Sequence, residues 1–412
     1  MIKSPGLNRM LLPASSAAAR GISVGVSRRL IHSSSRLARA ADLEARSIVY
    51  EANGDPTKVL RAHKWALPEP KSGQVVLRVG LASINPADIN VLQGVYPAKP
   101  AKRQLPGLAG DAFIGGNEGF GIVEHVVDTG GDLQEGDWVV FGKPQMGTWT
   151  SRMVCAQDDV IKINRRSSSL TEVMASTLQV NPATALRMLS DFQRLQPGDI
   201  MVQNAANSAV GQAVVQIAAR QMGVETINLV RDRPKLDDMA AHLAALAQGG
   251  APAHLFTYEG LDDRDSGVKE KIKDIIGKRK IKLGLNAVCG KDGSNMAKLM
   301  GPDSTLVTYG AMSKQPLSVP AGLVIFLNMS VQGFMMNKWY ASKQSTPEGS
   351  QERRQLMDTL TKWYEDGSLV PPESHIVHIA PSDDVETVGR KAREAVGSSM
   401  AGYGGKKFFF KF

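Results

Sequence analysis

The spacing of hydrophobic and polar positions changes near residue 170, and this change divides the chain into two regions. Between about residues 45 and 165, short apolar runs such as "GQVVLRVGLASINP" and "GDWVVFG" are bounded by glycine and proline, which is typical of strands joined by turns. Glycines recur every few residues, which favours a small, strongly bent β-barrel. The long Pro/Gly-rich stretch "AKPAKRQLPGLAGDAFIGG" predicts a surface loop beside a site.

Beyond residue 170 the apolar spacing becomes helical and then alternates with short strand-like runs. The stretch "LTEVMASTLQVNPATALRMLSDF" predicts two helical segments that meet at Asn181-Pro182, with Asn181 as a candidate N-cap. The runs "DIMVQNA", "ETINLV", "AHLFTY", "LGLNAVCG" and "STLVTYG" then alternate with helical segments. This alternation predicts a doubly wound α/β fold, with a parallel sheet and helices on both faces. The closing "KKFFFKF" predicts a terminal strand that returns to the first region.

Charge is distributed very unevenly along the chain. Seven basic residues and no acidic residue precede Asp42, so removal of that segment lowers the formal net charge from +9 to +2. The segment is rich in Ser and Ala and can form basic amphipathic turns, which is typical of a mitochondrial transit peptide; a disordered basic tail is the alternative. Four regions are therefore predicted: a transit peptide at 1–41, a first domain at 42–185, a nucleotide-binding domain at 186–340, and a return to the first domain at 341–412.

Composition argues against several other classes of protein. No uninterrupted apolar run reaches about 18 residues, so no membrane span is predicted. The body of the chain is nearly neutral, so nothing calls for a nucleic-acid-binding groove. Cys155 and Cys289 form no CxxC pair, and the seven histidines lack metal-ligand spacing, so the sequence predicts no metal centre. Both cysteines are expected to be small, buried, apolar side chains.

The stretch "NAANSAVG" lies where a doubly wound sheet carries its first strand–helix turn. Ala206, Ser208 and Gly211 occupy the positions at which nucleotide-binding turns usually have glycine. All three residues are small, and Asn207 and Ser208 add side-chain donors near a helix N-terminus, which attracts phosphate. The turn is therefore a candidate pyrophosphate site, and a plain connection with a Ser/Asn cap stays open.

A pair of arginines follows the second predicted strand. Arg231 comes 20 residues after Gly211, where an NAD-binding unit carries an acidic residue for the ribose 2′-hydroxyl. Arg231 and Arg233 can instead clamp a 2′-phosphate, which favours NADPH over NADH. Asp232 is expected to turn its side chain away and to line the site with its backbone. A solvated loop is the alternative for both arginines.

The segments "INPADINVLQGVY", "GNEGFGIV", "NPATALRML", "QNAANSAVGQAVVQIA" and "LVRDRP" together resemble the mitochondrial trans-2-enoyl-CoA/acyl-carrier-protein reductases. This family is a zinc-independent branch of the medium-chain dehydrogenase/reductase superfamily. The resemblance implies a GroES-like β-barrel catalytic domain, a Rossmann domain and a location in the mitochondrial matrix. Asn117 stands where zinc-dependent members have a ligand histidine, so a zinc-activated mechanism is not expected.

The resemblance also implies roles for individual residues. Tyr96 takes the position of the family's proton donor, in a reaction that adds hydride to C3 and a proton to C2 of an enoyl thioester. Lys406 takes the family's lysine position, with Lys407 as the alternative, and Met335 replaces a frequent Trp, which leaves the acyl-length preference open. The NADPH shell implied by the resemblance consists of Asn181, Asn207, Ser208, Ala209, Val210, Gly211, Arg231, Asp232, Arg233, Tyr309, Gly310, Ala311, Met312, Phe334, Met335, Met336 and Lys406.

Two other functions remain open at the level of sequence. A zinc-free NADPH quinone oxidoreductase has the same architecture and needs no proton donor at Tyr96, and a non-catalytic NADPH-binding protein needs only the cofactor loops. The family resemblance implies a homodimer, and a substrate carried by coenzyme A or acyl carrier protein. An acidic carrier favours basic surface, for which two runs are candidates: Lys99, Lys102 and Arg103, or Lys278, Arg279 and Lys280.

Overall fold

The computed structural model describes residues 43–127, 131–401 and 405–412. The predicted transit peptide at 1–41 lies outside the described residues. The first region is built from short strands, as the glycine-bounded apolar runs predict. Its strands are β1 (Glu44–Tyr50), β2 (Arg61–Ala66), β3 (Gln74–Ile84), β4 (Arg103–Gln104), β5 (Asp111–Ile114), β6 (Gly119–Val126), β7 (Trp138–Phe141), β8 (Arg152–Ala156) and β9 (Val160–Lys162). Two helices, α1 (Pro56–Val59) and α2 (Pro86–Leu92), interrupt them.

The second region consists of alternating strands and helices. Its strands are β10 (Ile200–Asn204), β11 (Glu225–Val230), β12 (Ala253–Thr257), β13 (Ile281–Asn286), β14 (Thr305–Thr308) and β15 (Ser330–Gly333). Its helices are α3 (Glu172–Thr177), α4 (Asn181–Asp191), α5 (Ala209–Gln216), α6 (Leu236–Leu246), α7 (Tyr258–Asp262), α8 (Val268–Ile276), α9 (Gly290–Ala297) and α10 (Ala321–Leu327). A π-helical turn at Ile217–Gln221 extends α5, and Gly223, at φ +64°, follows that turn.

The six strands of the second region form one parallel sheet in the order β12-β11-β10-β13-β14-β15. Side chains along β10 alternate between two cores: Ile200 and Val202 pack with residues of α8 and α9, whereas Met201 packs with residues of α4 and α5. Helices therefore cover both faces of the sheet, which confirms the predicted doubly wound fold.

The C-terminal residues rejoin the first region. They form α11 (Met336–Lys343), α12 (Pro347–Glu365), β16 (Ser374–His378), α13 (Val385–Ala401) and β17 (Lys407–Lys411). β17 pairs with β3 and β16 in a seven-stranded sheet that runs β16-β17-β3-β6-β7-β9, with β8 as the seventh strand, paired with β3. Phe410 of β17 packs edge-on against Trp149 at 5.3 Å. β17 thus lies in a sheet with strands of the first region, while the predicted division into domains, with boundaries at 185/186 and 340/341, stays a prediction.

The start of α4 differs by one residue from the prediction. The helix begins at Asn181 with Val180 as its N-cap, so Asn181 is the first helical residue and Pro182 the second. Val180 carries no side-chain cap, and its backbone N–H is instead held by the carboxylate of Glu118 at 2.8 Å. A contact from the first region thus replaces the local Asn cap that the sequence predicted.

Candidate active site

Tyr96 lies on the loop that follows α2. Its backbone N–H donates to the carbonyl of Asn90 at 3.2 Å, and its half-buried ring packs against the core of the first region. Burial raises the pKa of the Tyr96 phenol, and the negative charge of nearby Asp88 raises it further. The phenol is therefore protonated at neutral pH, as a proton donor must be.

Asp88 is a buried carboxyl group next to this loop. It accepts a hydrogen bond from the Asn85 backbone N–H at 2.7 Å and from the Asn117 amide at 2.6 Å. Burial nevertheless raises the pKa of Asp88 to about 6. Asn117 also accepts from the Gln145 backbone N–H at 2.8 Å, so both ends of its amide are engaged.

No group of three or more His, Cys, Asp or Glu side chains within residues 43–127, 131–401 and 405–412 is arranged to hold a metal ion. In the same ranges, no helix is both long and apolar enough to span a membrane. Cys155 and Cys289 are both buried, as the sequence predicts.

The turn at residues 204–211 joins the carboxyl end of β10 to the N-terminus of α5. The Ser208 hydroxyl caps the helix by accepting from the Gly211 N–H at 3.1 Å. A Cβ atom on Gly211 would lie 2.6 Å from the carbonyl oxygen of Ala206, so glycine is required there. Ala205 has a positive φ of 52°, and its N–H donates to the buried hydroxyl of Tyr258 at 2.8 Å. Asn207, Ala209 and Val210 are half-buried at this helix N-terminus, the kind of position that attracts anions.

The arginine loop follows the carboxyl end of β11, beside this turn. The Asp232 N–H donates to the Glu259 carboxylate at 2.8 Å, and the Asp232 carboxylate accepts from the Arg233 N–H at 2.8 Å. Asp232 thus turns its side chain onto its own backbone. The Nε of Arg233 is buried and has no hydrogen-bond partner among the described residues. Arg231 is exposed at the mouth of the loop.

The loop at residues 309–312 continues β14 at the same edge of the sheet. The Tyr309 N–H donates to the Asn286 carbonyl at 2.9 Å, and the Met312 N–H donates to the Ala287 carbonyl at 2.9 Å. Burial raises the pKa of the Tyr309 phenol, and the neighbouring Ser208 hydroxyl opposes that shift. This loop, which includes Gly310 and Ala311, therefore lies against the turn at residues 204–211.

The remaining residues of the predicted shell come from the C-terminal part of the chain. Phe334 follows β15 and packs edge-on against Phe192 at 5.9 Å, and Met335 is half-buried at the start of α11. The Met336 side chain instead packs into the hydrophobic core with Tyr340. The Lys406 ammonium pairs with the Glu373 carboxylate at 2.6 Å, and both side chains are about half exposed.

Asn181, a member of the predicted shell, is buried at the start of α4. Its side-chain Nδ2 has no hydrogen-bond partner among the described residues. A buried amide donor without a protein partner is costly, so Asn181 is a candidate to donate to a ligand group or a water.

The chain matches two family models: "Alcohol dehydrogenase GroES-like domain" at residues 71–165 and "Zinc-binding dehydrogenase" at residues 209–355. The mitochondrial enoyl-[acyl-carrier-protein] reductase of Xenopus tropicalis is 38% identical over 81% of this chain and 89% of its own length. A solved complex of Etr1p with NADP and crotonyl-CoA is 30% identical, with a TM-score of 0.80 over 90% of this chain and 100% of that chain. The mitochondrial 2-enoyl thioester reductase Etr1p/Etr2p heterodimer from Candida tropicalis matches with the same identity, coverage and TM-score.

The chain belongs to the mitochondrial enoyl-acyl-carrier-protein reductase family. The predicted family, fold class and enzyme class are thereby confirmed. Like its named relatives, this reductase is a mitochondrial protein.

Apart from Lys407, which was an alternative to Lys406, the sequence did not reveal a set of buried polar side chains around Asp88, which lies near Tyr96. Its members are Ser83, Asn85, Asp88, Glu118 and Lys407, drawn from three distant parts of the chain. Two local signals were available: the Asn-Pro-Ala-Asp run is a helix-capping pattern, and Glu118 interrupts the glycines of "GNEGFG". Neither signal revealed that Lys407 reaches the same place.

Proposed function

We propose that this reductase converts trans-2-enoyl thioesters to saturated acyl thioesters, with Tyr96 as the proton donor to C2. NADPH, when bound, supplies the hydride that C3 receives. The observation that carries the proposal is the Tyr96 phenol, half-buried beside Asp88 and kept protonated by a raised pKa. A weak acid in this state can protonate the enolate-like thioester that forms once C3 has been reduced.

The residues at the carboxyl edge of the parallel sheet fit NADPH. The N-terminus of α5 suits the pyrophosphate, and Gly211 allows the tight turn that leads into it, since a Cβ there would meet the Ala206 carbonyl. The unpartnered Nε of Arg233, with exposed Arg231 beside it, suits the 2′-phosphate, while the unpartnered Nδ2 of Asn181 suits a polar group near the nicotinamide. The unpartnered donors of Arg233 and Asn181 suit an anionic or polar ligand, and the two neighbouring positive charges of the arginine loop support NADPH over NADH.

A substrate comparison tests the reaction. The purified chain is mixed with NADPH and crotonyl-CoA, with NADPH and a quinone, or with NADPH alone, and the loss of NADPH absorbance is followed. We expect turnover with crotonyl-CoA only. Turnover with the quinone alone would favour the quinone oxidoreductase, and turnover with neither would favour a non-catalytic NADPH-binding protein.

We propose that two copies of this chain form a homodimer through strand β15. β15 is the edge strand of the parallel sheet, and all four of its residues are exposed. The adjacent α10 exposes Ile325 and Phe326, at 69% and 82% of their surface. Exposed apolar side chains beside an open sheet edge favour pairing with a second chain, and the same edge on a second copy continues the sheet.

Analytical ultracentrifugation tests this interface. We expect the wild-type chain to sediment as a dimer and Phe326→Asp to shift it toward monomer. A wild-type monomer at micromolar concentration, or a Phe326→Asp dimer of unchanged affinity, would refute the interface.

We also propose that an acyl-carrier substrate docks on the basic run at Lys99, Lys102 and Arg103. Lys99 and Lys102 lie on the same loop as Tyr96, and Arg103 is the first residue of β4. The Lys102 ammonium lies 5.4 Å from the ring centre of Phe113. The competing run at 278–280 immediately precedes β13, so it lies at the amino edge of the parallel sheet, opposite the cofactor turn. Its Arg279 is already paired with Glu225.

Charge reversal separates the two surfaces. Lys99→Glu with Lys102→Glu is expected to raise KM for an enoyl-acyl-carrier-protein substrate about tenfold or more, since interface charges steer association. Lys278→Glu with Lys280→Glu is the matched control and is expected to leave that KM unchanged. The opposite pattern would move the docking surface to the second run.

We place the enzyme in the mitochondrial matrix, because the basic, Ser-rich segment at 1–41 has the composition of an import signal. A fusion of residues 1–41 to a fluorescent protein tests this. The fusion is expected in a protease-protected mitochondrial fraction that is released only when the inner membrane is opened.

A further inference from the structure

A cluster of buried polar side chains lies where β3, β6 and β17 meet. We name it the Glu118 cluster, and its members are Ser83, Asn85, Glu118 and Lys407. Glu118 is fully buried and Lys407 is 5% exposed, and their charged groups lie 3.4 Å apart. Glu118 Oε2 also accepts from the Ser83 hydroxyl at 2.7 Å and the Asn85 amide at 2.8 Å, and the Lys407 ammonium donates to Asn85 Oδ1 at 2.6 Å.

A buried ion pair is weak evidence for stability, because desolvation of two charges offsets most of their attraction. The second oxygen of Glu118 indicates what the pair does. Oε1 accepts the backbone N–H of Val180 at 2.8 Å, across from the first region to the start of α4. The carbonyl of the neighbouring Gln179 accepts the Tyr340 hydroxyl at 2.9 Å from α11. Glu118 and Tyr340, from distant parts of the chain, therefore hold the N–H and the carbonyl of the same peptide group, which joins Gln179 to Val180.

Asn181 is the residue that this anchoring serves. It directly follows Val180, it begins α4, and its buried Nδ2 has no partner among the described residues. The direction in which Nδ2 points depends on the backbone that carries it. We propose that Glu118, held by Asn85 and Lys407, is a positioning residue that orients Asn181 toward the nicotinamide end of the site. This proposal rests on the proposed contact between Asn181 and the cofactor.

The first experiment compares two Glu→Gln variants. Glu118→Gln places an amide N–H group near the Lys407 ammonium and is expected to raise the Kd for NADPH about tenfold, as measured by NADPH fluorescence. Glu124→Gln is the matched control, since Glu124 lies on β6, the strand that directly follows Glu118, and pairs with Arg152 at 2.7 Å near the surface. The control is expected to keep the wild-type Kd. Both are measured well below the thermal midpoint, on chains with a native circular dichroism spectrum.

The second experiment asks whether Glu118 acts through Asn181. Asn181→Ala is expected to weaken NADPH binding by itself, and Glu118→Gln added to Asn181→Ala is expected to weaken it no further. Independent defects would instead multiply, because effects at uncoupled sites add in free energy. A general loss of stability would lower the thermal midpoint without producing this pattern.

The third experiment is a rescue. Glu118→Gln with Lys407→Met removes both charges and frees Asn85 Oδ1 to accept from the new amide, whose oxygen keeps the Val180 contact. This double variant is expected to bind NADPH more tightly than Glu118→Gln alone.

Three results would overturn the positioning role: a wild-type Kd in Glu118→Gln, a further multiplied loss in the double variant with Asn181→Ala, or no rescue by Lys407→Met. NADPH binding is measured without substrate, and the wild-type chain is assayed with crotonyl-CoA in parallel. Failure of the reaction is thereby distinguished from failure of the positioning role.

Discussion

The two halves of the candidate site are built in different ways. The proposed cofactor half lies at the carboxyl edge of a parallel sheet and is built from backbone groups and small residues of contiguous segments. The catalytic half is a set of buried charged and polar side chains that come from positions as far apart as Asn85 and Lys407. The first half leaves the side-chain donors Asn181 Nδ2 and Arg233 Nε without a partner among the described residues. The second half satisfies most of its polar groups by hydrogen bonds among its own side chains. The comparison predicts that the two halves respond differently to substitution.

The largest effect is expected at the catalytic half. Tyr96→Phe removes the acid and is expected to lower kcat with crotonyl-CoA by about 10²- to 10⁴-fold, the usual contribution of a positioned general acid. The Kd for NADPH is expected to stay within about twofold of wild type, because the phenol lies in the other half of the site. Steady-state kinetics and NADPH fluorescence measure the two quantities. A wild-type kcat would remove Tyr96 from the mechanism.

A smaller effect, confined to the cofactor, is expected from the arginine loop. Arg231→Ala with Arg233→Ala removes two charge-assisted partners of a 2′-phosphate and is expected to weaken NADPH about 50-fold or more, with little change for NADH. Lys278→Ala with Lys280→Ala removes the same charge from the opposite edge of the sheet and serves as the control. Equal losses for NADPH and NADH would refute recognition of the 2′-phosphate.

The contrast also explains how much could be predicted from the sequence. The doubly wound sheet, the strand–helix turn and the arginine loop depend on local spacing, and the sequence predicted all three. The start of α4 was predicted wrongly, because Glu118 caps Val180 from outside the helix. The role of Lys407 was left as an alternative, since only the pairing of β17 with β3 brings it beside Asn85. Contacts of this kind between distant residues are not visible in local pattern.

Asp88 gives a test of the catalytic half that depends on pH. Its pKa is raised in the folded protein to about 6, above the usual value near 4, so folding binds a proton between those limits. Stability from this group is therefore present below about pH 4 and is lost as pH rises through about 6, by on the order of 1–3 kcal/mol. Asp88→Asn is expected to remove that loss.

The measurement is the urea midpoint of wild type and Asp88→Asn from pH 4.5 to 7.5. Carboxylates with lowered pKa values, such as Asp383 and Asp384, lose their contribution only below this window. Groups common to both chains cancel in the difference. Parallel curves for the two chains would mean that Asp88 is ionised throughout the range.

The smallest effect is expected for a pair of buried tyrosines, one in each half. The Tyr258 hydroxyl accepts the N–H of Ala205 at 2.8 Å, in the turn at residues 204–211. The buried Tyr50 hydroxyl in the first region has no partner among the described residues. Tyr258→Phe leaves a backbone donor unsatisfied at a residue with positive φ, and is expected to cost about 1 kcal/mol and a few-fold in NADPH affinity. Tyr50→Phe removes an unpaired polar atom and is expected to leave both quantities unchanged or slightly improved. The two variants delete the same atom from two buried rings. A similar loss in both would mean that the hydroxyl of Tyr50 has a partner of its own. The catalytic half would then be as open to ligands as the cofactor half.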